Sequence, residues 1–392
     1  MFTLLVEGWR FYPQSLSIVN QFQCLELLKH PVRLFHTDVP PPPAGMLRIG
    51  HAWESNRRLL GDAQARALAL IPDPDPGERP DSVYRIFFPH DFSEARHGRT
   101  FVFVVTEARG ISPYRIGGNI PLRKALGPEV TIVTPSNWSR LGLVESGAAE
   151  SRVAVVPHGV DTAIFHPVEE TERAQLRRKL GWEESFVFLH VGAQYEWKGT
   201  GLALKAFAAM AATEPRARLA LKGVDDIYAS RASVARLEHG LTAAEQALIQ
   251  SRLHYVGDTL SFAALANLYR AADVLLSPYL GEGFNLPALE AIACGLPVIC
   301  TEGGPTDDFI RDDFALRIES RLVPTADKQG FWLYPDLDHL IALMRQVVGD
   351  DGLARRARKH GPEHVRAHYT WEHAVARLLE VLMERPAASV SP

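Results

Sequence analysis

The chain has 392 residues, of which 46% are hydrophobic and 22% charged, and a formal net charge of −4 at pH 7. That length exceeds one compact core, so two domains are expected, and the nearly balanced charge gives no general electrostatic basis for binding nucleic acid or an anionic membrane. Cys24, Cys294 and Cys300 form neither a disulfide framework nor a metal spacing, and the amino terminus MFTLLVEGWRFYP has no basic region ahead of a long apolar one. No apolar run approaches the roughly 18 residues of a membrane-spanning helix, and the sequence predicts a cytoplasmic chain without an integral membrane segment.

In chain order, short β-branched or aromatic runs alternate with segments of helical period, the pattern of parallel sheets covered by helices. The strand candidates of the first half are TLLVE (3–7), VRLFH (32–36), VYRIFF (83–88), TFVFVV (100–105), VTIVT (130–134) and VAVVP (153–157). SIVNQFQCLELL, RRLLGDAQARALAL and SNWSRLGLVESG read as helices between them. The cycle restarts with FVFLHVG (186–192), TGLALKAFAAMAA, ARLALKG (217–223) and one long helical region to about residue 251. It continues through LHYVG (253–257), LSFAALANLYRAA, DVLLSP (273–278), LPALEAIACG and PVICTE (297–302). The predicted fold class is α/β, with two doubly wound, Rossmann-like units in tandem.

The proline, glycine and aspartate of VPHGVDTAIFHPVEE (156–170) punctuate the join and read as a hinge. The expected domains are 1–165 and 166–365, with 366–392 a terminal helix that packs back on the first domain, followed by a tail. IPDPDPGERPDS (71–82) reads as an exposed loop and PPPP (40–43) as a rigid one.

The stretch GEGFNLPALE (281–290) follows a predicted strand and opens a helix, with Pro287 suited to the first turn. Open α/β sheets bind ligands beyond the carboxyl ends of their strands. Gly283, Phe284 and Asn285 would there turn backbone N–H groups toward an anion such as a phosphate, aided by the helix dipole from Leu286 onward. Glu282 is placed to accept hydrogen bonds from sugar hydroxyls and Glu290, about one turn into the helix, to hold a ribose diol. The alternative is that both glutamates only complement the dipole.

Glu282 to Glu290, followed by Ala-Ile-Ala-Cys-Gly-Leu-Pro-Val, resembles the E-x7-E signature of the retaining glycosyltransferase family 4, whose fold is GT-B. The resemblance extends to VPHGVDTAIFHP (156–167), VGAQYEWKG (191–199), 253–278 and GGPTDDF (303–309), while the first 125 residues match in architecture alone. It implies that Glu282 contacts the transferred sugar, Glu290 the ribose, and Gly192, Gly283, Phe284, Asn285 and Leu286 the rest of the donor. Lys198 matches the lysine that neutralises the diphosphate, a charge the chemistry needs because the nucleoside diphosphate leaves with growing negative charge. Where many members carry arginine after the glycine, this chain has Ala193, so either the second cation is missing or Lys222 supplies it.

In the first domain the resemblance puts His90 of FFPHDF (87–92) near the 6-position of the donor sugar. The family's glycine-rich first loop is replaced by the bulky EGWRFYPQS (7–15), leaving Arg10, Tyr12 and Ser15 to shape an acceptor site, with Glu107 also on the acceptor side. His158 reads as part of a structural turn in the hinge.

The implied activity is a retaining, metal-independent glycosyltransferase that moves a hexose from a nucleoside diphosphate sugar to a hydroxyl acceptor, with no cofactor besides that substrate. No DxD flanked by strand signals appears, and Asp225-Asp226 and Asp307-Asp308 read as turn or cap residues. A glycosidase pair needs carboxyls facing across the bond at roughly 5–9.5 Å, which two glutamates beside one phosphate subsite fit poorly. The alternative reading is a non-catalytic nucleotide-sugar sensor or partner subunit with the same fold. Base, sugar, acceptor and oligomeric state stay open; the first domain shows no strong basic amphipathic helix of the kind that reads a membrane surface.

Overall fold

The computed structural model describes residues 1–12, 14–40 and 59–384. Two six-stranded sheets, each wholly parallel, form the centres of two domains. The first runs in the order β2-β1-β3-β4-β5-β6, built from β1 Phe2–Gly8, β2 Val32–Asp38, β3 Ser82–Ile86, β4 Arg99–Phe103, β5 Thr131–Thr134 and β6 Val153–Val155. The second runs β12-β11-β10-β7-β8-β9, from β7 Phe186–Val191, β8 Ala217–Lys222, β9 Leu253–Val256, β10 Val274–Ser277, β11 Val298–Thr301 and β12 Ala315–Ile318. Parallel strands covered on both faces must be apolar throughout rather than alternating, and β3, β10 and β11 are buried at every position. Both doubly wound units expected from the sequence are present.

Register sets what reaches the cleft. Val191 pairs with Lys222 at the carboxyl ends of β7 and β8, so the loop after β7 and the Lys222 side chain emerge side by side. Gly8 pairs with Ile86, which brings the loops after β1 and β3 together in the same way.

Some elements differ from the sequence expectation. The long helical region before β9 is two helices, Ser230–Glu238 and Ala243–Arg252, because Thr242 and Glu245 form a reciprocal capping box that starts the second. The helix expected over 57–70 is Asp62–Ala69, and residues 57 and 58 lie outside the described residues, as do prolines 41–43. Beyond Asp308 the chain adds β12, the antiparallel hairpin of β13 Ser320–Pro324 and β14 Phe331–Pro335, and helices Leu337–Val348 and Asp351–His368.

The chain passes between domains twice, through 156–170 and again near Tyr369, and the passages touch where Val160 N–H donates to the Tyr369 carbonyl at 2.9 Å. The last described helix, Trp371–Met383, packs on the first domain. Trp371 stacks on Phe22 with ring centres 5.2 Å apart, and Ser82 Oγ donates to the Leu382 carbonyl at 3.3 Å.

Candidate active site

A cavity of about 330 Å³ opens where the carboxyl ends of the two sheets face each other. From the second domain come the loop after β7, Lys222 at the end of β8, and the loop between β10 and the Leu286–Ala293 helix. Asn285 starts that helix in a left-handed conformation (φ 78°), which asparagine tolerates. Its side chain caps the helix by accepting from Ala288 N–H and donates to Ser277 Oγ at 2.8 Å, locking the helix to the end of β10. Pro287 has no N–H and the cap takes that of Ala288, so Leu286 carries the remaining first-turn N–H where the helix start lines the cavity.

The loop ahead of the helix is held by the other domain. Gly283 lies so close to Val105 that a Cβ would stand 1.8 Å from its Cγ1, and the Gly283 carbonyl accepts from Ser136 Oγ at 2.6 Å. Phe284 is buried, its ring edge-on to His158 at 4.8 Å. Gly283, Phe284 and Asn285 thus build and fasten the wall of the cavity.

Lys198 stands on a short 3₁₀ turn, Glu196–Lys198. Its ammonium donates to Glu282 Oε1 at 2.7 Å and lies 3.5 Å from Glu107 Oε1 of the first domain. Arg115 meets the other oxygen of Glu107 at 3.1 Å. Burial opposes both charges, yet Glu282 and Glu107 hold the Lys198 ammonium above the usual lysine range, and Lys198 and Arg115 hold Glu107 below the carboxylate range. For Glu282 burial wins over Lys198 and the carboxyl is pushed up.

Glu290 is buried in the same cavity and accepts from Tyr269 OH at 2.8 Å; burial pushes its carboxyl up to about 7, against the pull of that hydrogen bond. Lys222 also lines the cavity, its ammonium donating to the Gly223 carbonyl, and burial pulls it down to about 8 although Asp258, Asp225 and Asp226 favour the charge. At Ala193 the cavity meets a methyl group and a backbone carbonyl that accepts from Ser230 Oγ at 3.0 Å. Asp225 accepts from Tyr255 OH at 2.7 Å and Asp308 from Asn137 N–H at 2.8 Å, so these aspartates serve turns and the domain contact.

A second cavity of about 340 Å³, lined by the first domain and by Tyr228 of the second, shares Gln14, Ser15, Val105, Glu107 and Tyr228 with the first. Three first-domain residues singled out from the sequence stand outside the first cavity. His90 lines this second cavity and not the first; its backbone N–H donates to the Arg115 carbonyl at 2.9 Å, which holds it beside that residue. Arg10 lines neither cavity: its guanidinium meets Asp38 at 2.8 Å and donates to the Leu68 carbonyl at 2.7 Å, pinning the first loop to β2. Tyr12 is buried beside Trp9 and also lines neither cavity. Ser15 and Glu107 stand where the two cavities meet.

Sequence reasoning missed the aromatic wall of the cleft. Tyr195 and Trp197 stack at 4.4 Å and 24°, with Tyr228 edge-on to Tyr195 at 5.6 Å. The density of aromatics in AQYEWKG beside a catalytic-type lysine was the available signal. His158, read as a turn residue, lines the first cavity; burial pulls its imidazole down to about 3, so it is neutral, and its Nδ1 has no partner among the described residues. A separate cavity of about 460 Å³ is lined by Arg173, Arg270 and Asp273, whose charges already meet each other or backbone carbonyls.

Residues 172–364, about half of the chain, match the family model described as Glycosyl transferases group 1. Among curated proteins the chain is similar to the D-inositol 3-phosphate glycosyltransferase of Salinispora arenicola, 31% identical over 253 residues that make up 62% of this chain and 51% of that protein. The protein of that name from Acidothermus cellulolyticus is 35% identical over 175 residues, 42% of this chain and 36% of that protein. The chain spans about half the length of the curated relatives it matches, or less. Among solved structures, Anabaena Alr3699/HepE in complex with UDP and glucose superposes with a TM-score of 0.70 at 13% identity, over 98% of this chain and 100% of that one. The sucrose-phosphate synthase of Thermosynechococcus elongatus superposes at 0.68 and 17% identity, over 97% and 98%. The chain therefore has the GT-B fold, and its segment 172–364 belongs to the group 1 glycosyl transferases.

Proposed function

We propose that this protein is a retaining glycosyltransferase that moves a hexose from a nucleoside diphosphate sugar to a hydroxyl acceptor, without a metal ion or further cofactor. The observation that carries this reading is the Lys198–Glu282 pair, 2.7 Å apart, beside the amino terminus of the Leu286–Ala293 helix in a cleft between two sheets. The relatives named for glycosyl transfer, and the similar fold in complex with UDP and glucose, support it and suggest UDP sugars as first donors to try.

In this reading the diphosphate lies against the helix amides with Lys198 and Lys222 as its cations. Lys198 then leaves Glu282 partly free to accept from hydroxyls of the sugar. Glu290, neutral or charged near pH 7, takes the ribose diol. The bond from the sugar's anomeric carbon to the phosphate oxygen breaks, and the acceptor oxygen bonds that carbon from the same face. The acceptor proton passes to the departing phosphate oxygen, so no carboxylate nucleophile is needed. Preorganised positive charge at a leaving group is commonly worth about 10²–10³ in rate.

The test is proton NMR of reactions with UDP-, GDP- and ADP-sugars in EDTA, following release of the nucleoside diphosphate and the anomeric coupling of the product. Slow donor hydrolysis dependent on Lys198 and Glu282, with an α donor giving an α product, supports the reading. Binding without turnover that depends on those residues would instead mark a sensor.

A further inference from the structure

We infer that the second cavity receives an uncharged saccharide, not a phosphorylated polyol, as acceptor; this rests on the function proposed above. The cavity adjoins the donor cleft through Ser15, Val105 and Glu107, so an occupant can present a hydroxyl toward the Lys198–Glu282 pair.

Its charges are already balanced. Arg115 is paired with Glu107 at 3.1 Å, and Lys198, which shares Glu107 with it, lies between Glu107 at 3.5 Å and Glu282 at 2.7 Å. His90 is neutral, since burial and the neighbouring Arg115 pull it down to about 3. A phosphate entering here would have to displace Glu107 from Arg115 and remain beside that carboxylate, exchanging a made, partly buried ion pair for a repulsion.

A neutral sugar meets no such cost. Glu107 accepts from hydroxyls and Arg115 donates to them without parting. Two residues that line the cavity carry buried nitrogens without hydrogen-bond partners among the described residues, His90 Nδ1 and Gln14 Nε2, the residues being 3% and 8% exposed. Buried polar groups of this kind are costly until a ligand satisfies them. Trp9, Phe88 and Tyr114 also line the cavity, and Tyr114 is 57% exposed at its mouth. Aromatic rings of this sort cover the C–H face of a pyranose while hydroxyls at its edge reach the polar groups. The curated relatives carry the name D-inositol 3-phosphate glycosyltransferase, so on this account the present chain differs from them in acceptor charge.

The experiment is saturation-transfer NMR on the full chain with matched pairs: methyl glucoside against glucose 6-phosphate, maltose against maltose 1-phosphate, and inositol against inositol 1-phosphate. Tyr114 lines this cavity and not the donor cleft, so loss of signal in Tyr114→Ala assigns it to the acceptor site. Expected is binding of at least one neutral saccharide, at least about tenfold tighter than its phosphorylated partner, with Glu107→Gln narrowing that gap about tenfold by freeing Arg115 (1.4 kcal/mol is a factor of ten). Tighter binding of the phosphorylated member, signals indifferent to Tyr114→Ala, or no neutral saccharide binding would overturn the inference. Donor titration reads the other cavity separately, so failure of the proposed function is seen independently.

Discussion

The ammonium of Lys198, in the second domain, lies 3.5 Å from the carboxylate of Glu107, in the first. With Glu282 at 2.7 Å on its other side, one cation joins carboxylates from both halves of the molecule. The charge proposed to answer a departing diphosphate therefore also joins carboxylates of the two domains.

Removing it should show both roles. Lys198→Ala leaves Glu107 and Glu282 facing each other and is expected to cost about 2 kcal/mol of stability and about 10²–10³ in donor turnover. The double variant Lys198→Ala/Glu282→Gln removes the repulsion and should recover most of the thermal stability while turnover stays lost. Melting curves alongside donor-hydrolysis rates separate the two effects; recovery of both would assign Lys198 a structural role only.

Glu290 links stability to pH. Its carboxyl is raised to about 7 in the fold, so folding favours the protonated form. That contribution is complete below the unfolded value near 4.5 and is lost as pH rises through 7. Glu290→Gln keeps an acceptor for Tyr269 and carries no charge. It should match the parent at pH 4.5 and exceed it by up to roughly 3 kcal/mol at pH 8, while weakening nucleotide binding. Denaturant titrations at the two pH values check the crossover.

Lys222 ties binding to pH in the same direction, with affinity lost as pH rises. Its ammonium, pulled down to about 8, is lost as pH rises past that value. Affinity for UDP should then fall, approaching tenfold per pH unit. Lys222→Arg, charged throughout, should flatten the slope. Calorimetry from pH 7 to 9.5 measures it, and a flat profile in the parent chain would remove Lys222 from the diphosphate site.

The sheets were legible because parallel strands buried on both faces leave continuous apolar runs, and FVFLHV and VICT announce themselves. The β13–β14 hairpin was not: its strands are short and partly exposed, with Leu322 at 46% and Tyr334 at 41%, so neither alternation nor a continuous run marks them. β12, an edge strand carrying Arg317, escaped for the same reason. In the site, Glu282, Glu290 and Lys198 were found through a local motif, and they do share one cavity. The pairing of Arg10 was not legible because its partners, Asp38 and the Leu68 carbonyl, are distant in sequence. The pairing of Lys198 with Glu107 joins residues of two domains, and nothing local in either segment announces it.

The hairpin bears on the proposed acceptor side. Phe331 N–H donates to the Ala108 carbonyl at 2.9 Å, and a Cβ on Gly330 would stand 2.0 Å from that carbonyl oxygen, so the loop carrying Glu107 and Arg115 is clamped by a glycine-only approach. Gly330→Ala is expected to cost about 1–3 kcal/mol and to slow acceptor-dependent transfer more than donor hydrolysis. Comparing the two rates checks this; equal losses would mean the clamp does not position the acceptor side.

The central claim is that an activated sugar's diphosphate rests between Lys198 and the start of the Leu286–Ala293 helix. Calorimetric titration of UDP-, GDP- and ADP-sugars into the parent chain and Lys198→Ala tests it most directly. The account predicts saturable binding of at least one donor, weakened about a hundredfold or more in the variant. No binding by any of them, or equal affinity in both proteins, would contradict it.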